Sequence, residues 1–234
     1  MKKRLFCIYP VCLAMLCAAG SAGVRAADSF SINVTGRIMP AACVVSIEGG
    51  GNFDYGLIDK KSLVGSSNKI LPVKSAGLTI SCPAPTKLGL RGTDNREGTQ
   101  IEPNVPVMLF PGALFGTYSW QNAFGLGLDP SGNPVGLWTA QLTSLSTESE
   151  PTVKHIYGRP PGSWSDLSPE FTFFNGNYAA VVHSVSRPDE KSPLAFTTLQ
   201  ATLEVRAAIN RPHNLDLSRP VALDGSMTVE LVYL

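Results

Sequence analysis

Charge is scarce in this chain. Asp, Glu, Lys and Arg make up 16% of its 234 residues, and the signs nearly balance, with 18 acidic against 19 basic. A strongly basic face for nucleic acid is therefore excluded as its organising feature, and no nucleic-acid partner is expected. Helical periodicity is almost absent, which argues against a helical bundle. The three histidines, His155, His183 and His213, are scattered along the sequence without ligand spacing, so neither a metal nor a cofactor is expected. Catalytic signatures are missing as well. There is no Gly-x-Ser-x-Gly elbow, and Gly125-x-Gly127 lacks the third glycine of a dinucleotide loop. Asp54, Asp59, Asp94 and Glu97 fall in turn-rich stretches, where carboxylates usually cap or are solvated. The expectation is a protein that is not an enzyme.

Long apolar runs are confined to the amino terminus. Residues 1–26 combine Lys2, Lys3 and Arg4, an apolar stretch from Leu5 to about Ala19, and a small-residue end at Val24-Arg25-Ala26. That order reads as a secretory signal peptide. The stretch is shorter than the roughly 20 residues a bilayer-spanning helix needs, and Pro10 interrupts it. Lipidation at Cys17 would want a small residue where bulky Leu16 stands. Four of the 19 basic residues and none of the 18 acidic ones lie in this leader, so the exported chain carries a net charge near −3. Cysteine becomes scarcer still, because Cys7, Cys12 and Cys17 leave with the leader and only Cys43 and Cys82 remain of five. An even pair in an oxidising compartment reads as one disulfide.

What the exported part has in abundance is alternation of apolar and polar residues, punctuated by Gly, Pro, Asn and Asp. This is an all-β pattern. Phe30, Ile32, Val34, Gly36 and Ile38 share one face of an extended segment. Strands are expected at Val44 to Ile47, Phe53 to Ile58, Leu71 to Cys82 and Leu88 to Arg91, the last running into the turn-rich Gly92-Thr93-Asp94-Asn95. Further on, Asp129-Pro130-Ser131-Gly132-Asn133 signals a tight turn before a returning strand at Val135 to Leu142. Leu199 to Ile209 and Met227 to Leu234 are two more alternating runs. The Pro-rich stretch 144–189 is expected to be long loops around one or two strands, either functional or a plain insertion. Trp120, Trp138 and Trp164, with Tyr118, Tyr157 and Tyr178 nearby, leave two uses open, stacking on a host glycan or packing in a core.

Two features suggest how such a protein works. Gly36 sits inside an alternating segment, where glycine often marks close approach of another backbone. Met227, Val229, Leu231 and Tyr233 make an apolar stripe on the last strand that needs covering.

The run Ile32-Asn33-Val34-Thr35-Gly36-Arg37-Ile38-Met39-Pro40-Ala41-Ala42-Cys43 resembles the N-terminal extension and first cysteine of pilins from the chaperone-usher pathway. Phe53-Asp54-Tyr55-Gly56-Leu57-Ile58, then Cys82, then a next-to-last tyrosine at Tyr233 follow in the same order as in those subunits. The likeness covers chiefly residues 30–92 and 199–234, and the chain is similar to the longer pilin-like members. The resemblance implies an incomplete immunoglobulin-like β-sandwich over 43–234, preceded by a donor-strand extension at 27–42. Phe30, Ile32, Val34, Gly36 and Ile38 would be the donor face. Met227, Val229, Leu231, Tyr233 and Leu234 would be the groove edge read first by a periplasmic pilus chaperone and, after an outer-membrane usher, by neighbouring subunits. The implied role is a structural subunit of a cell-surface fimbrium that polymerises by donor-strand exchange and supports adhesion. The alternative is a monomeric periplasmic protein of the same fold that does not polymerise.

Overall fold

The computed structural model describes residues 33–35, 42–102, 107–111, 113–115, 123–166 and 181–234. The chain divides into two compact units, Met1–Met39 and Pro40–Leu234. In the first, only Asn33, Val34 and Thr35 are described; they lie outside any strand, and Val34 is 94% exposed. The expected leader, and Phe30, Ile32, Gly36 and Ile38 of the expected donor face, lie outside the described residues.

The second unit is all-β. Among the described residues there is no α-helix, only short 3-10 turns at Glu48–Gly51, Lys60–Ser62 and Pro212–Asn214. In chain order the strands are β1 (Val44–Ile47), β2 (Lys69–Ile70), β3 (Lys74–Asp94), β4 (Val107–Phe110), β5 (Ala113–Phe115) and β6 (Phe124–Gly125). They continue with β7 (Gly136–Thr147), β8 (Lys154–Gly158), β9 (Trp164–Asp166), β10 (Val182–Ser186), β11 (Ala195–Ile209) and β12 (Met227–Tyr233). Ten of them make one curled antiparallel sheet in the order β6-β7-β11-β3-β10-β8-β9, with β1 and β12 added along β3 and β2 along β11. β4 and β5 form a separate hairpin.

The expected strands at Leu71 to Cys82 and Leu88 to Arg91 are one 21-residue strand, β3, which runs on to Asp94 before turning at Asn95. Its middle carries Cys82-Pro83-Ala84-Pro85, and prolines cannot donate to a ladder. The β3–β11 register slips there, from Phe196↔Thr86 to Thr198↔Ser81. The Glu148 carboxylate fills the gap, accepting from the Thr197 and Thr198 N–H groups at 2.8 and 2.9 Å. Burial works to raise the Glu148 pKa, but these bonds outweigh it and hold the group down to about 2. The β11 N–H groups at the slip are thus satisfied by a side chain in place of a ladder.

The core lies inside the curl. Leu78 and Ile80 of β3, and Phe196, Leu199, Leu203 and Val205 of β11, are buried, following the period-two alternation of both strands. A smaller cluster on the opposite face joins Leu109 and Phe110 of β4 to Leu137 and Ala208. Arg206 ties that hairpin down, its Nε donating to the Leu71 carbonyl and Nη1 to the Leu109 carbonyl, both at 2.9 Å. Cys43 and Cys82 form a disulfide. Their separation of 39 residues corresponds to about 4 kcal/mol of restricted unfolded-chain entropy on the loop-closure estimate.

Two expectations are corrected. Phe53 to Ile58 is not a strand. Asp54 Oδ1 accepts the Gly56 N–H at 2.7 Å, and Gly56 takes φ +65°, so the backbone turns. Phe53, Tyr55 and Ile58 still pack on the core, which is why their alternation resembled a ladder. The stretch 144–189 also holds more order than expected, with the end of β7 and all of β8, β9 and β10. Phe171 to Phe174 lie outside the described residues.

Candidate functional site: an apolar cleft beside the last strand

Among the described residues, the curled sheet leaves one side of its core uncovered. The result is a cleft of about 1190 Å3. Its floor is the core itself, including Leu78, Ile80 and Leu90 of β3 with Leu203 and Val205 of β11. One wall is β12, which presents Met227, Val229 and Leu231; β1 contributes Val45 and Ile47. The irregular segments 52–63 and 215–226 supply the rest of the lining, among them Phe53, Tyr55, Ile58, Val221 and Leu223.

β12 forms because its apolar residues alternate, and it pairs with β3 from Met227↔Asp94 to Tyr233↔Leu88. Among the described residues β3 is its sole strand neighbour, so its second edge carries unbonded N–H and C=O groups. The same is true of β1, which pairs only with β3. Exposed apolar residues lie along these edges: Val44, Val45, Val229, Tyr233 and Leu234. Tyr233 bridges the two strands. Its hydroxyl accepts the Cys43 N–H at 2.9 Å, next to the disulfide. The Leu234 N–H then donates to the Lys87 carbonyl at 3.1 Å.

Of the expected groove edge, Met227, Val229 and Leu231 line the cleft, while Tyr233, at the other end of β12, meets Cys43 of the Cys43–Cys82 disulfide and Leu234 follows it. Of the expected donor residues only Val34 is described, and it is exposed. The residues that sequence reasoning missed are those of the two irregular segments. Leu215, Leu217, Val221 and Leu223 carried a usable signal, because they continue the odd-numbered apolar spacing of Met227, Val229 and Leu231 back through the chain.

The remaining candidates have structural partners. The Asp54 and Asp59 carboxylates each cap a local turn, and Asp94 Oδ2 accepts from Gln100 Nε2 and the Gly125 N–H, both at 2.9 Å. Burial raises the Asp94 pKa, with those backbone bonds opposing it. Trp138 belongs to the core, its ring 4.9 Å from that of Phe124 and its Nε1–H donating to the Gly125 carbonyl at 2.9 Å. Trp164 and Tyr157 are half-buried, while Tyr118, Trp120 and Tyr178 lie outside the described residues.

The histidines are not all apart. β8–β10 pairing sets His155 Nε2 3.0 Å from His183 Nδ1. Burial lowers both pKa values, that of His183 to about 3, and the neighbouring His183 further lowers His155. Among the described residues no three His, Cys, Asp or Glu side chains are grouped to hold a metal ion.

Residues 32–139 match a protein family described as a protein of unknown function, DUF1120. Along almost its whole length the chain is also similar to Protein GltF of Escherichia coli strain K12, 28% identical over 245 residues that span 96% of each chain. Neither description states an activity.

Proposed function

We propose that this chain is an exported strand-accepting subunit of a chaperone-usher type surface pilus, an immunoglobulin-like β-sandwich short of one strand. The observation that carries this reading is the coincidence of an open apolar cleft with an edge of β12 that no other strand pairs with among the described residues. An extended guest strand supplies what both lack. Its backbone satisfies the unpaired edge, and its alternate side chains fill the cleft. Each aliphatic side chain so buried contributes roughly 1.5 to 3 kcal/mol. Residues 27–42 of a neighbouring copy fit the role through Phe30, Ile32, Val34 and Ile38, with Gly36 permitting close approach. A periplasmic chaperone occupies the site first, an outer-membrane usher directs assembly, and the finished fimbrium supports adhesion.

A second reading has an observation in its favour. Val221 and Leu223 already pack on part of the exposed core, which is what a monomeric, non-polymerising periplasmic protein would need. The test is binding of a peptide spanning residues 29–39 to the purified protein. We expect saturable binding that abolishes itself when Ile32 and Val34 of the peptide are changed to Asp. Absence of binding, together with a stable monomer at high concentration, would establish the second reading instead.

A further inference from the structure

Residues 217–223 lie against the cleft as a strap that is fastened mainly at its ends. At the first end, the Asp216 N–H donates to Asp129 Oδ2 at 2.6 Å, and Ser131 Oγ donates to Asp216 Oδ2 at 2.8 Å. At the second, Arg96 grips Asp224 with two bonds of 2.8 Å, Nε to Oδ2 and Nη2 to Oδ1, while the Asp224 N–H donates to the Leu126 carbonyl at 3.0 Å. Between these anchors the backbone is almost unbonded. Among the described residues, no carbonyl of 217–223 accepts a backbone hydrogen bond, and the one bonded N–H, that of Ser218, reaches only to Asp216. Pro220 has no N–H to offer. Yet Val221 and Leu223 are half-buried against the core and the Ala222 between them is exposed, the alternation of a strand without its ladder.

We propose that residues 217–223 are a displaceable strap, held by the Arg96–Asp224 clamp, which covers in the empty subunit the apolar surface that a guest strand covers after binding. This rests on the strand-accepting reading above. The physical reason is the contrast with β12. That strand shares seven register pairs with β3, whereas the strap is held at its ends by one exposed ion pair and a few hydrogen bonds and between them only by partial burial, and such segments open first. The strap lowers exposure of the cleft while it is empty and yields to a partner that brings both side chains and a backbone ladder.

Two measurements decide it. Without any guest, Arg96→Gln should raise the fluorescence of an apolar-surface dye several-fold while the far-ultraviolet β signal is unchanged. Asp224→Asn serves as a second variant of the same clamp should the first lose that signal. Unchanged dye binding in a folded variant would overturn the strap. With the residue 29–39 peptide, Val221→Ser should associate several-fold faster than the unaltered protein, because a competing self-contact is gone. Slower or weaker association would show Val221 to be a fixed wall and overturn the proposal. Failure of the unaltered protein to take the peptide defeats the strand-accepting reading, while the dye measurement still judges the strap.

Discussion

The inner strands and the cleft edge are built from the same kinds of residue, yet only the inner strands are closed. β11 lies between β7 and β3, with a ladder on each side, and its Phe196 is 1% exposed. β12 has an equally apolar alternation, but its one ladder is to β3, and Val229 remains 41% exposed. Apolar pattern alone does not close a core. Closure also needs a second strand to satisfy the backbone, because a covered but unbonded edge leaves polar groups without partners. Among the described residues, the cleft edge therefore has the apolar side chains of an inner strand without the second ladder.

The largest expected contrast comes from truncating one side chain in each region. Phe196→Ala should lower the unfolding free energy by about 3 to 5 kcal/mol, whereas Val229→Ala should change it by about 1 kcal/mol or less, since Val229 is only partly buried and few apolar atoms are removed. Urea denaturation of the two variants measures this. Equal losses would show that the cleft edge is closed in solution.

An intermediate effect is expected at the paired histidines, which lie across β3 from β12. His183 has its pKa depressed to about 3 by burial. The unfolded chain takes up a proton near pH 6.5 that the folded chain refuses, so stability is fully present above that pH. It falls as pH drops toward 3, by about 1.4 kcal/mol per pH unit for this group. His183→Gln should flatten that slope in denaturation curves recorded between pH 6.5 and pH 4. An unaltered slope would mean that the pair is not kept neutral in the folded protein.

The smallest effect belongs to Tyr233. Tyr233→Phe removes the hydroxyl that accepts the Cys43 N–H, and about 1 kcal/mol of stability should be lost. Hydrogen exchange at Cys43 should accelerate in the same variant, while exchange in β11 stays as it was. A change spread evenly over both regions would show that the two edges are not separable.

Much of this architecture is legible in the residues. The alternation of Leu78 and Ile80, the turn at Asp129 to Asn133 and the two closing strands all appear where the pattern places them, because period-two burial and turn chemistry are local properties. The errors have a common physical source. Phe53 to Ile58 alternates and is half-buried in part, yet the Asp54–Gly56 turn withholds it from the sheet. Pro83 and Pro85 look like a break between two strands, but β3 runs through them, and Glu148, 63 positions beyond Pro85 in the numbering, accepts from the β11 N–H groups at the register slip. His155 and His183 look unrelated until β8 and β10 pair.

By itself, then, the sequence determined the all-β class and the apolar stripe of β12, since each depends on residue type and spacing along a short stretch. Only the tertiary structure decided that β12 has one strand neighbour among the described residues, that segments 52–63 and 215–226 line the same cleft, and that Tyr233 meets Cys43. Those facts depend on how the sheet curls, and curl is the summed outcome of twist, register slips and long-range contacts that no local window contains.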